Sequence, residues 1–210
     1  MANLPGKNQC CLSTIKEEIR IASVPKEDVS IFIQELKDVF PQLRASNNVV
    51  ETSLNSSNPI LHSPIALFNL ARLENGEDYG FYTDATTPAV IRFVEAADRE
   101  RVEVARAVGI TPQSCLEILN SFWVDKFDNL YDAIVNNKDY QKVRGPKTLN
   151  FRFINEDLPY GLIPVVILGK KYGVKTPALS AMIDVFRFTL GEETIGEAPD
   201  FESLSLSELL

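Results

Sequence analysis

The segment from Thr87 to Gly109 constrains the fold most. Val90, Ile91, Val94, Ala97, Val104, Ala105 and Val108 recur at helical spacing along it. Thr87 suits an N-cap, Pro88 suits the first helical position, and Gly109 suits the left-handed residue that closes a helix. A helix of this length with one apolar face needs other elements to cover that face. Its other side carries Arg92, Glu95, Asp98, Arg99, Glu100, Arg101, Glu103 and Arg106. That side reads as a solvated face with intrahelical pairs, with domain contacts as the alternative.

The rest of the chain beyond residue 63 also reads as mostly helical. Ser63 and Pro64 offer a cap and a first helical residue, followed by Ile65, Phe68, Ala71 and Leu73 as an apolar stripe. Residues 77–82 make a polar and aromatic break. Further helices are expected over 111–118, over 121–135 with the tryptophan Trp123, over 162–172 closed by Gly173, and over 178–190 after Pro177. Residues 136–150 contain Gly145-Pro146 and read as a loop, and a short helix is expected near 204–210.

The beginning of the chain has a different character. Residues 12–24 read as two short strands joined by a turn at Lys16-Glu17-Glu18. A helix follows Pro25, with Val29, Phe32, Ile33, Leu36, Val39 and Phe40 at helical spacing up to Pro41. Two strands are too few for an independent sheet, so they need something else to pair with. Residues 45–58, rich in Asn and Ser, read as a linker with an extended piece at Val49 and Val50.

The 210 residues carry a net charge of −8, which argues against binding nucleic acid by phosphate neutralisation. No apolar run is long enough to span a bilayer, and no secretory signal is visible at the start. Three cysteines, Cys10, Cys11 and Cys115, do not have metal-ligand spacing and fit reduced thiols in the cytoplasm. No metal is expected.

The chain has one histidine, His62. It lies in Asn58-Pro59-x-x-His62-x-Pro64, followed by Asn69, Glu74, Phe81-Tyr82, Asp98-Arg99-Glu100-Arg101 and Ala107-Val108-Gly109. A second block runs from Arg152-Phe153-Ile154-Asn155-Glu156-Asp157 through Leu158-Pro159-Tyr160-Gly161-Leu162-Ile163-Pro164, then Gly169, Gly173-Val174 and Thr176-Pro177. Together these blocks resemble the C-terminal domain of the octopine/nopaline (opine) dehydrogenases, over roughly Val49 to Leu190.

The resemblance implies a mainly α fold, with an all-helical domain at residues 45–210. Residues 1–44 would be a β-hairpin and helix remnant of an α/β Rossmann cofactor domain. It implies the reductive condensation of an amino acid with a 2-oxo acid such as pyruvate, driven by NADH or NADPH. His62 would be the general acid/base, Asp157 its carboxylate partner, and Arg152 the substrate-binding arginine, since a guanidinium holds a carboxylate bidentately. A helix N-terminus following His62 would disfavour its protonation, and a facing carboxylate would favour it and orient the ring. A structural loop histidine is the plainer alternative. Arg152 could instead pair with Glu156 or Asp157 at the surface. Asn69 could hold substrate or cofactor, or, like Glu74, cap or pack a helix. Trp123 and Phe127 could line a side-chain pocket or belong to the core.

One departure is large. No G-x-G-x-x-G follows a strand, so nothing here would cradle a pyrophosphate. The NAD or NADP site is expected on a cofactor domain largely absent from this chain, and the partners expected are a separate cofactor-binding chain or a second copy. The alternatives are an inactive truncated remnant, a helical interaction module, or a related ketopantoate or hydroxyacid reductase.

Overall fold

The computed structural model describes residues 2–6, 9–12, 14–196, 198, 206, 209 and 210. The short helix expected near 204–210 lies mostly outside the described residues. The molecule is mainly helical, with a small strand unit ahead of the helical body.

The strand unit differs from expectation in its pairing. β1 (Ala2–Gly6) and β2 (Gln9–Leu12) form an antiparallel pair. β3 (Ile19–Ile21) does not fold back on β2. It runs parallel to β4 (Leu43–Ala45), with Ile19 opposite Leu43 and Ile21 opposite Ala45. A parallel pair needs a crossover, and α1 (Val29–Leu36) supplies it. The polar stretch Lys16-Glu17-Glu18 is therefore a lead into β3, and the Glu17 N–H donates to the Phe122 carbonyl of the helical body at 2.9 Å.

The segment expected as a linker contains α2 (Val49–Leu54). Asn48 accepts from the Glu51 N–H at 2.8 Å, and the Glu51 carboxylate accepts from the Asn47 N–H at 2.6 Å. These two bonds start a helix where composition alone suggested a loop. α3 (Asn58–Leu67) then starts earlier than Ser63. Pro59 takes the first-turn position, Pro64 lies inside the helix, and Ser63 spends its hydroxyl on the Phe153 carbonyl at 3.0 Å. α4 (Leu70–Glu74) follows.

α5 (Pro88–Val108) forms as its boundaries predict. The Thr87 side chain accepts from the Val90 N–H, and Gly109 closes the helix at φ 93°. A residue with a Cβ would be strained there. α2, α3 and α7 (Leu130–Val135) pack on α5, as do α9 (Ile163–Tyr172) and α10 (Pro177–Leu190). Val94, Ala97, Val104 and Ala105 are fully buried at these contacts.

The charged side of α5 is not uniformly solvated. Arg101 and Asp98 are buried. The Arg101 guanidinium donates to Asp98, to the Leu54 carbonyl ending α2, and to the Gln113 carbonyl. Asp98 also accepts from the Cys115 N–H at 2.7 Å, at the start of α6 (Cys115–Phe122). Glu100 accepts from the Ala178 and Leu179 N–H groups at 2.7 and 2.9 Å and so caps α10.

The continuous helix expected over 121–135 is two helices. α6, opened by a Ser114–Glu117 capping box, ends at Phe122, and Trp123 is extended. Asn129 caps α7 by accepting from the Asp132 N–H. The 136–150 segment is a loop that pairs with Tyr79–Phe81. The Phe81 N–H donates to Val143 and the Gly145 N–H to Tyr79, both at 2.9 Å. A Cβ on Gly145 would sit 2.2 Å from the Tyr79 ring, so only glycine permits this approach. α8 (Arg152–Asn155) and a π-helical turn at Leu158–Leu162 lead into α9, and α11 (Glu192–Ile195) follows α10. Among the described residues, no helix is long and apolar enough to cross a membrane.

Candidate active site

His62 lies on the buried side of α3, so no helix N-terminus follows it as the sequence suggested. Its partner comes from the junction of α8 and the π-helical turn. The turn approaches the first turn of α3 closely, because a Cβ on Gly161 would lie 2.4 Å from the Pro59 ring. The Ser63 bond to Phe153 ties α8 to the same helix. Between these two fixed points Asp157 faces His62. The Asp157 Oδ2 to His62 Nδ1 distance is 2.8 Å, and both residues are buried.

The second ring nitrogen is also engaged. His62 Nε2 lies 2.8 Å from the Tyr82 hydroxyl. Phe153 stacks on the imidazole with centroids 4.1 Å apart, Phe81 meets it edge-on at 6.1 Å, and Tyr140 stacks on Tyr82 at 4.2 Å. With Asp157 a carboxylate, Nδ1 carries a proton and donates to it; in a neutral ring Nε2 is then the acceptor for the Tyr82 O–H. Burial, with Tyr140 and Asp157 beside it, pushes the Tyr82 phenol well above its ordinary value, so it keeps its proton. Tyr82 belongs to the quoted Phe81-Tyr82 pair, but nothing in the sequence places its hydroxyl on the histidine.

The other two sequence candidates are not hydrogen-bond partners of His62, although the Arg152 charge acts on the Tyr82 phenol and favours its ionisation. Arg152, on α8, is half-exposed and reaches Glu156 at 3.5 Å, a surface ion pair. Asn69 donates to the Ile65 and Ala85 carbonyls at 2.9 and 3.0 Å, tying the end of α3 to the approach to α5. Trp123 belongs to the core, and Phe127 packs against it. A cavity of about 300 Å3 adjoins the bend between α2 and α3. Lys16, Ser46, Glu51, Ser57, Asn58 and Phe122 help line it. Ser46 Oγ is buried there without a hydrogen-bond partner. The Lys16 ammonium lies 3.3 Å from the centre of the Phe122 ring, and burial lowers its pKa. Asn58 places this cavity one helical turn from His62.

The described residues do not fit a dinucleotide. The one strand–helix crossover, β3 to α1, runs through Ala22-Ser23-Val24-Pro25 without a glycine, and Glu27 and Asp28 precede the helix. Those carboxylates would repel a pyrophosphate. Among the described residues, no group of three or more His, Cys, Asp or Glu could hold a metal ion.

Residues 45–189 match the model of the family described as NAD/NADP octopine/nopaline dehydrogenase, alpha-helical domain. The chain belongs to this family. An opine dehydrogenase of Arthrobacter sp. (strain 1C) is 31% identical over 205 residues, covering 98% of this chain and 56% of that protein. A vitopine synthase of Allorhizobium ampelinum is 24% identical over 169 residues, covering 79% of this chain and 46% of that protein. The chain thus spans about half the length of the curated relatives it matches. In fold it is similar to octopine dehydrogenase solved with NADH and L-arginine, at a TM-score of 0.65 and 19% identity, over 79% of this chain and 46% of that one. The same enzyme with NADH and agmatine also matches at 0.65 and 19%, over 77% and 45%. Both of these solved structures hold NADH, while this chain's described residues carry no dinucleotide cradle.

Proposed function

We propose that this chain is the substrate-binding and acid–base portion of an opine-type dehydrogenase, which joins the amino group of an amino acid to a 2-oxo acid such as pyruvate by reductive condensation. The buried Asp157–His62 pair carries this reading. Attack on a carbonyl needs a free amine, and elimination of water needs a proton for the leaving oxygen. An imidazole oriented by a carboxylate can take the first proton and return it for the second. Arg152 would hold a substrate carboxylate once it leaves Glu156, and Asn69 would support the site by fixing the end of α3. The polar cavity at the bend gives the amino acid a place one turn from the imidazole. Reduction needs NADH or NADPH bound by a cofactor domain. In this reading residues 1–44 are the end of that domain and residues 45–210 the helical one. The setting would be the cytoplasm.

The test is to supply the chain with the cofactor-binding part of the Arthrobacter relative and follow oxidation of NADH or NADPH with pyruvate and single L-amino acids, arginine included. His62→Ala should lower kcat by roughly a hundred- to ten-thousand-fold with the helical fold retained. A reconstituted enzyme that keeps full kcat after this change overturns the role of His62. Arg152→Lys should chiefly raise KM for the 2-oxo acid, because an ammonium cannot grip a carboxylate bidentately. An unchanged KM would place Arg152 outside the site. A second reading, a helical module without turnover, is supported by the lack of a dinucleotide cradle among the described residues. It predicts no oxidation in the complemented assay.

A further inference from the structure

We propose that Tyr82 is a positioning residue, whose hydroxyl donates to Nε2 of His62 and thereby presents the imidazole as a neutral base with its lone pair on Nε2. The proposal rests on reading His62 as the acid–base group. The geometry argues it in three steps. First, a carboxylate has no hydrogen to give, so Nδ1 must donate across the 2.8 Å contact to Asp157. Second, a neutral imidazole protonated on Nδ1 has a bare Nε2, and burial makes a bare acceptor costly unless a donor meets it. Third, the group 2.8 Å from Nε2 is a phenol that keeps its proton.

The scaffold holds that phenol in place. Tyr140 stacks on the Tyr82 ring and Phe81 meets it edge-on at 5.0 Å. The Phe81 N–H bond to Val143 anchors the backbone beside it. The imidazole is thus held at both nitrogens and on one face by Phe153.

The ammonium of an amino acid must offer its N–H to the same lone pair that the Tyr82 hydroxyl occupies. Substrate binding therefore exchanges one donor for another. The proton then passes from the substrate nitrogen to Nε2. The N–H bond breaks, its electron pair stays on the amine, and the imidazolium charge is balanced by Asp157. Tyr82 keeps its own proton throughout.

Because His62 is the only histidine, its two ring nitrogens can be read without overlap in the 15N-labelled 210-residue chain by NMR. At neutral pH the unsubstituted chain should show Nδ1 protonated and Nε2 unprotonated, with the Nε2 signal displaced upfield by its donor. Tyr82→Phe keeps the ring and removes the hydroxyl. It should move the Nε2 signal downfield and leave Nδ1 in place. A protonated Nε2 in the unsubstituted chain overturns the proposal without any variant. An unmoved Nε2 signal in folded Tyr82→Phe does the same. Neither result depends on turnover, so the failure of this proposal is separate from a failure of His62→Ala to abolish catalysis.

Discussion

Buried acids, Tyr140 among them, set the behaviour of individual residues at high pH. Burial pushes the Tyr82 phenol and the Cys115 thiol well above their ordinary values, and it pushes Tyr79 up to about 12. The folded chain therefore keeps protons that the unfolded chain releases, at pH near 9 for a thiol and 10 for a phenol. The contribution is fully present below those values and is lost as pH rises toward the folded ones. Stability measured by denaturant titration should thus decline above about pH 9 to 10. A flat profile across that range would refute this assignment. Cys115 should also resist thiol reagents until the protein unfolds, since the thiolate is the reactive form. At this scale the sequence disclosed the residue types of the site but not their contacts. His62 and Asp157 are 95 positions apart, and the docking of the π-helical turn on Pro59 with the Ser63 bond to Phe153 brings them to 2.8 Å. Arg152 was legible as a cation near Asp157, but its present partner is Glu156.

At the scale of elements, the run Asp98-Arg99-Glu100-Arg101 shows how a charged helix face can serve the interior. The sequence favours a solvated reading because charges recur along it. Three of the four residues instead satisfy backbone groups at the ends of other helices, and such long-range partners leave no local pattern. Asp98→Ala would leave the Arg101 guanidinium buried without its carboxylate and should cost about 3–5 kcal/mol in chemical denaturation. Glu100→Gln should cost about 1 kcal/mol, in the range of a lost helix cap. By contrast, α5, α9 and α10 were legible nearly to the residue, because proline starts and glycine ends are local signals. α2 was hidden, since Asn48 and Ser53 look like loop residues until the cap at Asn48 is seen. The β3–β4 pairing was hidden because a crossover through α1 leaves no trace at residues 12–24.

For the molecule as a whole, the crossover unit presents apolar side chains to solvent. α1 has no buried residue, and Val24, Ile31, Phe32, Leu36, Val39 and Phe40 are exposed around it, as is Ile15. Apolar surface of this kind favours association. The isolated 210-residue chain should self-associate as its concentration rises, and Phe32→Glu with Phe40→Glu should suppress this in sedimentation experiments. A monodisperse unsubstituted monomer at high concentration would contradict the expectation. The helical body holds an aromatic assembly. Trp123, the only tryptophan, lies edge-on to Tyr140 at 6.0 Å, Tyr140 stacks on Tyr82, and Tyr82 meets His62. The protein therefore contains one indole linked through two phenol rings to one imidazole. Its ultraviolet fluorescence should change when that imidazole is charged or its neighbour displaced, giving a label-free optical gauge of the site.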